Sequence, residues 1–235
     1  MLAAAGWGAL AASSLILGAL FGVARDWRDG LVGGVLAFGA GALVSGVSFE
    51  LAAEGFRVGG PWWVAAGIAV GALAFFVADR GVQRLGGRQG GGSAGLPLAL
   101  GALLDGIPEQ AVLGIGLAAG EGISLALLVA IFVSNLPEGI GSASEMRAAG
   151  RPRSAVMRMW IGVAVFAALS TVGGYLLADV LGPAWRAGID GFAAGALLVM
   201  LVDSMVPEAH RKARDRAGLA TVLGFAVAAA LSAFS

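Results

Sequence analysis

Acidic residues inside apolar stretches are the side chains of this sequence best suited to do chemistry. Asp105 and Glu109 lie four residues apart, so they share one face of a helix, and Ser134 and Glu138 repeat that spacing further along the chain. A carboxylate at membrane depth is costly unless it is protonated, paired with a base or bound to a cation. The stretches that carry these acids contain no Lys or Arg. Protonation or a cation from outside the protein is therefore left to neutralise them.

Each of the two central glutamates directly follows a proline. Pro108 precedes Glu109, and Pro137 precedes Glu138. Because a proline inside a helix removes a backbone hydrogen bond, it frees the carbonyl oxygen one turn earlier. Freed carbonyls and carboxylates are both oxygen ligands for cations. The pattern predicts two kinked helices that meet at an oxygen-rich cation site near the membrane midplane.

The elements that position these acids are apolar helices. The chain is 58% hydrophobic and 13% charged and contains 40 glycines, a composition far from that of soluble domains. A membrane-spanning helix needs about 20 apolar residues. We expect an all-α integral membrane protein in which residues 1–235 form a single transmembrane transporter domain. Its predicted spans are residues 3–23, 31–53, 61–78, 96–118, 122–145, 155–178, 188–208 and 217–234.

The basic residues predict the orientation of these spans. Of the 15 Lys and Arg residues, all but Arg57 and Arg186 fall after the first, third, fifth or seventh predicted span. Basic connections stay on the cytoplasmic side of a membrane. This distribution predicts that both termini face outward, and we expect the protein in the plasma (inner) membrane.

An internal similarity links the two halves of the chain. Residues 38–43 read Phe-Gly-Ala-Gly-Ala-Leu and residues 192–197 read Phe-Ala-Ala-Gly-Ala-Leu, and the same register pairs Glu54 with Glu208. The two Pro-Glu pairs form a second match, again in oppositely directed spans. These matches predict a 3+2+3 inverted repeat, in which spans 1–3 correspond to spans 6–8 and the central two exchange places. Secondary transporters commonly bind their substrate at such a repeat interface.

The motifs resemble those of ZIP (Zrt/Irt-like) divalent metal transporters. Residues 134–139, Ser-Asn-Leu-Pro-Glu-Gly, are similar to the family's His-Asn-x-Pro-Glu-Gly, and the motif at residues 192–197 leads to Pro207 and Glu208. The resemblance covers nearly the whole chain. It implies a binuclear site in which Glu109 and Glu138 contact or bridge the metals.

Several ligand positions of the family are substituted in this chain. Asn135 is retained, whereas a histidine, an asparagine, a histidine or glutamine, and an acidic residue of the family are replaced by Asp105, Gly106, Ser134 and Ala167. One metal position therefore survives better than the second. We expect the metal-binding residues to be Asp105, Glu109, Ser134, Asn135 and Glu138.

Other acids are predicted to mark the transport pathway. The predicted topology places Glu50 and Glu54 near the outer face and Asp203 and Glu208 near the inner face, with the central site between them. The single histidine, His210, lies at the cytoplasmic end of the seventh span, where it is either solvated or meets an exiting ion.

These features predict a function in transport. We expect the chain to move a divalent metal cation across the bilayer by alternating access. Family resemblance favours Zn²⁺ or Fe²⁺, an all-oxygen site suits harder ions such as Mn²⁺, and Cd²⁺ is a further candidate. A single histidine excludes a His-Glu-x-x-His metalloprotease, so we expect no enzyme activity and no organic cofactor.

The expected partners are metal ions and the lipid bilayer; a homodimer stays open, and no nucleic acid is expected. Two alternative functions also stay open. The first is a transport-deficient metal-sensing or partner subunit of the same fold, which the substituted ligand positions suggest. The second is a proton-coupled carrier of an organic cation that uses the same acids.

Overall fold

The computed structural model of the protein describes residues 1–25, 27–88, 95–118, 122–179 and 182–233, without the side chains of residues 85–88, 95–100, 102, 105 and 179. Within these ranges the chain is all helical. Its long helices are α1 (Leu2–Ala24), α2 (Asp29–Gly59), α3 (Pro61–Arg88), α4 (Gly95–Ala118), α5 (Leu125–Ala148), α6 (Arg153–Asp179), α7 (Pro183–Ala213) and α8 (Arg216–Ser232).

The surface of this bundle is that of an integral membrane protein. In the described part of the chain, α1, α2, α3, α5, α6 and α7 are each long and apolar enough to cross a membrane, and α8 is a shorter apolar helix. Large apolar side chains such as Leu73, Phe166 and Val222 are 61–67% exposed. Lipid is the solvent that accommodates such a surface. The rings of Trp63 and Trp185, at the starts of α3 and α7, lie 6.0 Å apart, as expected for an aromatic belt at a membrane interface.

Several helices extend beyond the predicted apolar spans. Helix α3, predicted to end at residue 78, continues to Arg88, and α7, predicted over residues 188–208, covers Pro183–Ala213. Polar side chains on successive turns stabilise these ends: Gln83 donates a hydrogen bond to Asp79 over 2.7 Å, and Lys212 contacts Glu208 over 2.8 Å. Hydropathy locates the apolar part of a helix, whereas backbone hydrogen bonding continues into the polar interface.

Glycines allow the helices to pack with their backbones in contact. A Cβ atom on Gly71 of α3 would lie 1.9 Å from the carbonyl oxygen of Phe192 in α7, and one on Gly224 of α8 would lie 1.9 Å from that of Phe38 in α2. Small residues permit this close approach in membranes. Phe38 and Phe192 are the first residues of the repeated motif, so matching positions form the α2–α8 and α3–α7 contacts.

Helices α2 and α7 share a further irregularity. Each contains a π-helical segment, Val47–Ala52 in α2 and Leu201–Met205 in α7. The shift that carries Phe38 onto Phe192 also carries Val47 onto Leu201. Such wide turns often occur at functional sites. The two copies of the motif therefore share a backbone irregularity as well as a sequence.

The Pro-Glu helices each pack against an outer helix in a matching way. Helix α5 lies against α1, and α4 lies against α6. A Cβ on Gly22 of α1 would meet the carbonyl oxygen of Ile140 at 2.5 Å, and one on Gly174 of α6 would meet that of Ala111 at 2.1 Å. Ile140 and Ala111 each follow the proline of their helix by three residues. These contacts fix the turns that carry Glu138 and Glu109.

Candidate metal centre

Glu109 and Glu138 line the same cavity. This cavity, of about 50 Å³, lies between α2, α4, α5 and α7, and its lining is Leu36, Glu109, Glu138, Met200, Ser204, Met205 and Glu208. We call it the inner cavity. Glu109 is 2% exposed and Glu138 is half-buried. The structure therefore brings two of the predicted ligands together and adds Glu208 and Ser204 from α7.

A buried polar pair holds the turn of α4 next to Glu109. The hydroxyl of Thr171 in α6 donates a hydrogen bond of 2.8 Å to Oε1 of Gln110, and both side chains are fully buried. A buried polar side chain requires such a partner. This pair orients α4 one residue after Glu109. This contact has no local signal in the sequence, because the two residues are 61 positions apart.

Ser134 and Asn135 lie beside the inner cavity, outside its described lining. The Ser134 hydroxyl donates to the carbonyl oxygen of Ile131 at 3.0 Å, and its Cα would lie 2.7 Å from a Cβ on Gly39 of α2. Asn135 is 1% exposed, and its Nδ2 has no hydrogen-bond partner among the described residues. In this conformation Ser134 packs against α2. The predicted roles of Ser134 and Asn135 as metal ligands stay predictions.

Asp105 precedes Glu109 by one turn of α4, but its side chain lies outside the described part of the structure. Its neighbour Gly106 is described: a Cβ atom on Gly106 would lie 3.7 Å from the Cβ of Ala167 in α6. Gly106 and Ala167 occupy two of the substituted family positions. The 3.7 Å distance shows that the two positions face each other, and neither residue has a polar side chain.

No group of three or more His, Cys, Asp or Glu side chains in the described ranges is close enough to hold a metal ion together. Glu208, the third glutamate of the inner cavity, has a cationic partner. Its Oε1 lies 2.8 Å from Nζ of Lys212, whose side chain is only 12% exposed. Glu208 lies at the end of predicted span 7 and was not among the acids expected to lack a basic partner. The base lies beyond the predicted end of span 7, where α7 continues.

A larger cavity opens at the opposite end of the bundle. This outer cavity, of about 600 Å³, is lined by parts of α2, α4, α5, α7 and α8, and its charged residues are Glu50, Glu54, Arg57, Arg186 and Asp190. It brings together the helix ends that the sequence assigns to the outer face. Asp190, which is 4% exposed, was not anticipated. An acid beside the repeated motif, inside an apolar stretch, was the signal that could have identified it.

The predicted outer acids both line this cavity and both have partners. Glu50 accepts a hydrogen bond from the Ser232 hydroxyl. Glu54 accepts two hydrogen bonds of 2.7 Å from Arg57, so this acid, one residue beyond predicted span 2, is also paired with a base. Arg57 is 69% exposed, and exposed ion pairs are weak. The pair therefore leaves the mouth of the cavity hydrated.

An apolar layer separates the outer cavity from Glu109. Val112, Leu113 and Leu127 line the outer cavity and are 2–3% exposed. Val112 follows Glu109 by three residues, so the two lie about one helical turn apart on α4. Residues that line the two cavities are thus about one turn apart on α4.

Two predicted pathway residues lie on the surface. Asp203, in the π-helical segment of α7, and His210, near the end of the same helix, are both exposed. Neither belongs to the described lining of the two cavities. For His210 this agrees with the solvated alternative.

Comparison with known proteins agrees with the sequence motifs. No family model matches the sequence. An Arabidopsis thaliana protein described as "Putative zinc transporter" is 28% identical over 182 residues, which is 74% of this chain. The chain spans 29% of the length of that relative. The similarity supports the resemblance to ZIP transporters.

Proposed function

We propose that this protein moves divalent metal cations across a membrane, with Glu109 and Glu138 as central ligands. The observation that carries the proposal is that two glutamates, each following a helix proline, line one cavity from different helices. Carboxylates supply both the oxygen ligands and the negative charge that a dehydrated divalent cation requires. The plant relative described as a zinc transporter supports transport as the function.

The transporter architecture that we propose has eight membrane crossings in a 3+2+3 inverted repeat. Three features support it: the matching π-helical segments of α2 and α7, the matching glycine contacts of α3–α7 and α8–α2, and the matching contacts of α5 with α1 and α4 with α6. Inverted repeats allow one bundle to rock against the other, which exposes a central site to each side in turn. Alternating access follows from this arrangement.

The outer cavity is the proposed path by which metal reaches the site from outside the cell. Its acids Glu50, Glu54 and Asp190 lie at the end of the bundle that carries few basic residues. The basic connections lie at the other end, which favours a plasma membrane protein with both termini outside. Metal then passes the apolar layer to reach Glu109 and leaves past Glu208.

We propose that the central site holds one metal ion. Gly106 and Ala167 face each other where the family resemblance implies ligands of a second ion, and they bring no oxygen or nitrogen side-chain atom there. Asp105, Glu109 and Glu138 would then form a site of oxygen ligands. Such a site suits Mn²⁺ and Fe²⁺ and also accepts Zn²⁺ and Cd²⁺.

A second candidate function is a metal-sensing subunit that binds metal without transporting it. The apolar contact of Gly106 with Ala167 favours this alternative, because loss of a second ligand set removes a step through which an ion could pass. Purified protein that binds metal and gives no flux would establish it.

Metal uptake by purified protein in liposomes tests the proposal. We expect uptake of at least one of Zn²⁺, Fe²⁺, Mn²⁺ and Cd²⁺ by the wild type. We expect Glu138→Gln to reduce that uptake by about a hundredfold, because removing one carboxylate from a buried divalent site costs several kcal/mol.

Glu145→Gln is the matched control, since Glu145 is an exposed glutamate two turns further along α5. It should transport as the wild type does. Equal flux through the wild type and Glu138→Gln, with both proteins folded, would remove the site from the transport mechanism.

A further inference from the structure

The inner cavity has a basic side chain fixed beside it. Lys212, in the last turn of α7, contacts Glu208 through Nζ and Oε1 at 2.8 Å, and its side chain is 12% exposed. Arg57, the base that contacts Glu54 in α2, is 69% exposed. Glu54 and Glu208 are paired by the repeat and are 18% and 38% exposed, so the inner pair differs from the outer one in the burial of its base. Removal from solvent strengthens an ion pair and makes its loss more costly.

The Lys212 side chain extends across α2 toward α5. A Cβ atom on Gly33 of α2 would lie 2.6 Å from Cβ of Lys212, so the start of the side chain rests directly on that helix. A Cβ atom on Gly141 of α5 would lie 3.1 Å from Nζ of Lys212 and 3.7 Å from Oε1 of Glu208. Two glycines therefore leave the space that the side chain fills.

The position of Gly141 relates this ion pair to the central site. Gly141 follows Glu138 by three residues, so both lie on one face of α5. Glu208 lines the same cavity as Glu109 and Glu138. The ammonium group thus lies about one turn of α5 to the cytoplasmic side of Glu138, bound to the third glutamate of the cavity.

We propose that Lys212 is a positioning residue that competes with the transported metal for Glu208. While the inner side is closed, the ammonium group occupies Glu208 and ties the end of α7 to α5. A divalent ion at Glu109 and Glu138 attracts Glu208 and repels Lys212, since it is positively charged. Its charge is twice that of the ammonium group, so it competes effectively for Glu208. Release of Lys212 frees Glu208 to contact the metal and opens the cytoplasmic side. This inference rests on the proposed transport function.

Cysteine labelling tests whether Lys212 closes the inner side. The chain contains no cysteine, so a single Ser204→Cys substitution in the inner cavity gives a reporter without background. The labelling rate is measured from the cytoplasmic side of inside-out vesicles, in the presence of a metal chelator. Membrane-impermeant methanethiosulfonates of positive and negative charge are used separately.

We expect Lys212→Met and Lys212→Gln, each in the Ser204→Cys background, to raise the labelling rates of both reagents by about tenfold, the order expected for loss of a partly buried ion pair. Lys212→Arg, which keeps the charge, should label within about twofold of the parent. Arg211→Met is the matched control, because Arg211 is the exposed base next in sequence, and it should leave both rates unchanged.

Three results would overturn the role of Lys212. The first is a labelling rate in both Lys212 variants equal to that of Arg211→Met. The second is acceleration of the cationic reagent with slowing of the anionic one, which reports only a local change of charge. The third is equal acceleration in Lys212→Arg, which reports lost packing. Because labelling requires no metal, failure here with intact metal flux rejects Lys212 alone, whereas absent flux with accelerated labelling rejects the transport proposal.

Discussion

The outer and inner cavities are built from corresponding helices but differ in size and in the state of their acids. The outer cavity has a volume of about 600 Å³ and the inner cavity about 50 Å³. The π-helical segment of α2 contributes Glu50 to the first, and that of α7 contributes Ser204 and Met205 to the second. In the proposed inverted repeat, the outer cavity is wide and the inner cavity is narrow. The alternating access that we propose requires this inequality, and its exchange between the two sides would move the ion.

The two ion pairs follow the same difference. Arg57, which contacts Glu54, is 69% exposed, whereas Lys212, which contacts Glu208, is 12% exposed; the two carboxylates are 18% and 38% exposed. An exposed ion pair contributes at most about 1 kcal/mol, and an ion pair becomes stronger as its groups are removed from water. In the proposed role of Lys212, this shielded base keeps the inner side closed.

Among substitutions in the outer cavity, filling it should have the largest effect on transport. Gly116 lines this cavity, and a Cβ atom there would have no neighbour within 4 Å, so Gly116→Trp adds its ring to open space. We expect metal uptake in liposomes to fall by at least about tenfold, because the dimensions of a pathway limit its flux.

The control for that substitution is Gly6→Trp, an exposed glycine of α1 that also has no neighbour within 4 Å. It adds the same ring outside both cavities and should transport normally. Unchanged uptake by a folded Gly116→Trp protein would show that metal does not pass through the outer cavity.

Removing charge from the outer mouth should have a smaller effect. The double substitution Glu50→Gln and Glu54→Gln removes two negative charges from a cavity that also contains Arg57 and Arg186. We expect KM for metal uptake to rise roughly threefold to tenfold, with the difference shrinking at high ionic strength because salt screens exposed charges. Glu145→Gln, at the other end of α5, should leave KM unchanged. A KM that is the same in all three proteins at low salt would exclude electrostatic capture by these acids.

The sequence was sufficient to predict the parts of the fold that depend on composition and local pattern. Apolar runs predicted the membrane helices, and the Pro-Glu pairs predicted that Glu109 and Glu138 share a site. Each of these patterns is local in the sequence, so it is visible without tertiary structure. Helix ends were predicted less well, because polar turns such as the one that carries Lys212 continue a helix without adding apolar residues.

The remaining features depend on contacts between distant parts of the chain. The hydrogen bond between Gln110 and Thr171 joins α4 to α6, and the burial of Asp190 depends on where α7 packs. The residues of the π-helical segment Val47–Ala52 do not distinguish it in sequence from an α-helix. The ion pair of Glu208 with Lys212 was visible as a spacing of four residues, but its position beside Gly141 was not.

The number of Mn²⁺ ions bound by the purified protein tests the central claim most directly. Electron paramagnetic resonance measures free and bound Mn²⁺ at equilibrium, so it reports binding without requiring transport. We predict one bound ion per wild-type chain, one in Glu145→Gln, and none at the same Mn²⁺ concentration in the double variant Glu109→Gln and Glu138→Gln. Undiminished binding by the folded double variant would contradict the assignment of these two glutamates as the metal site.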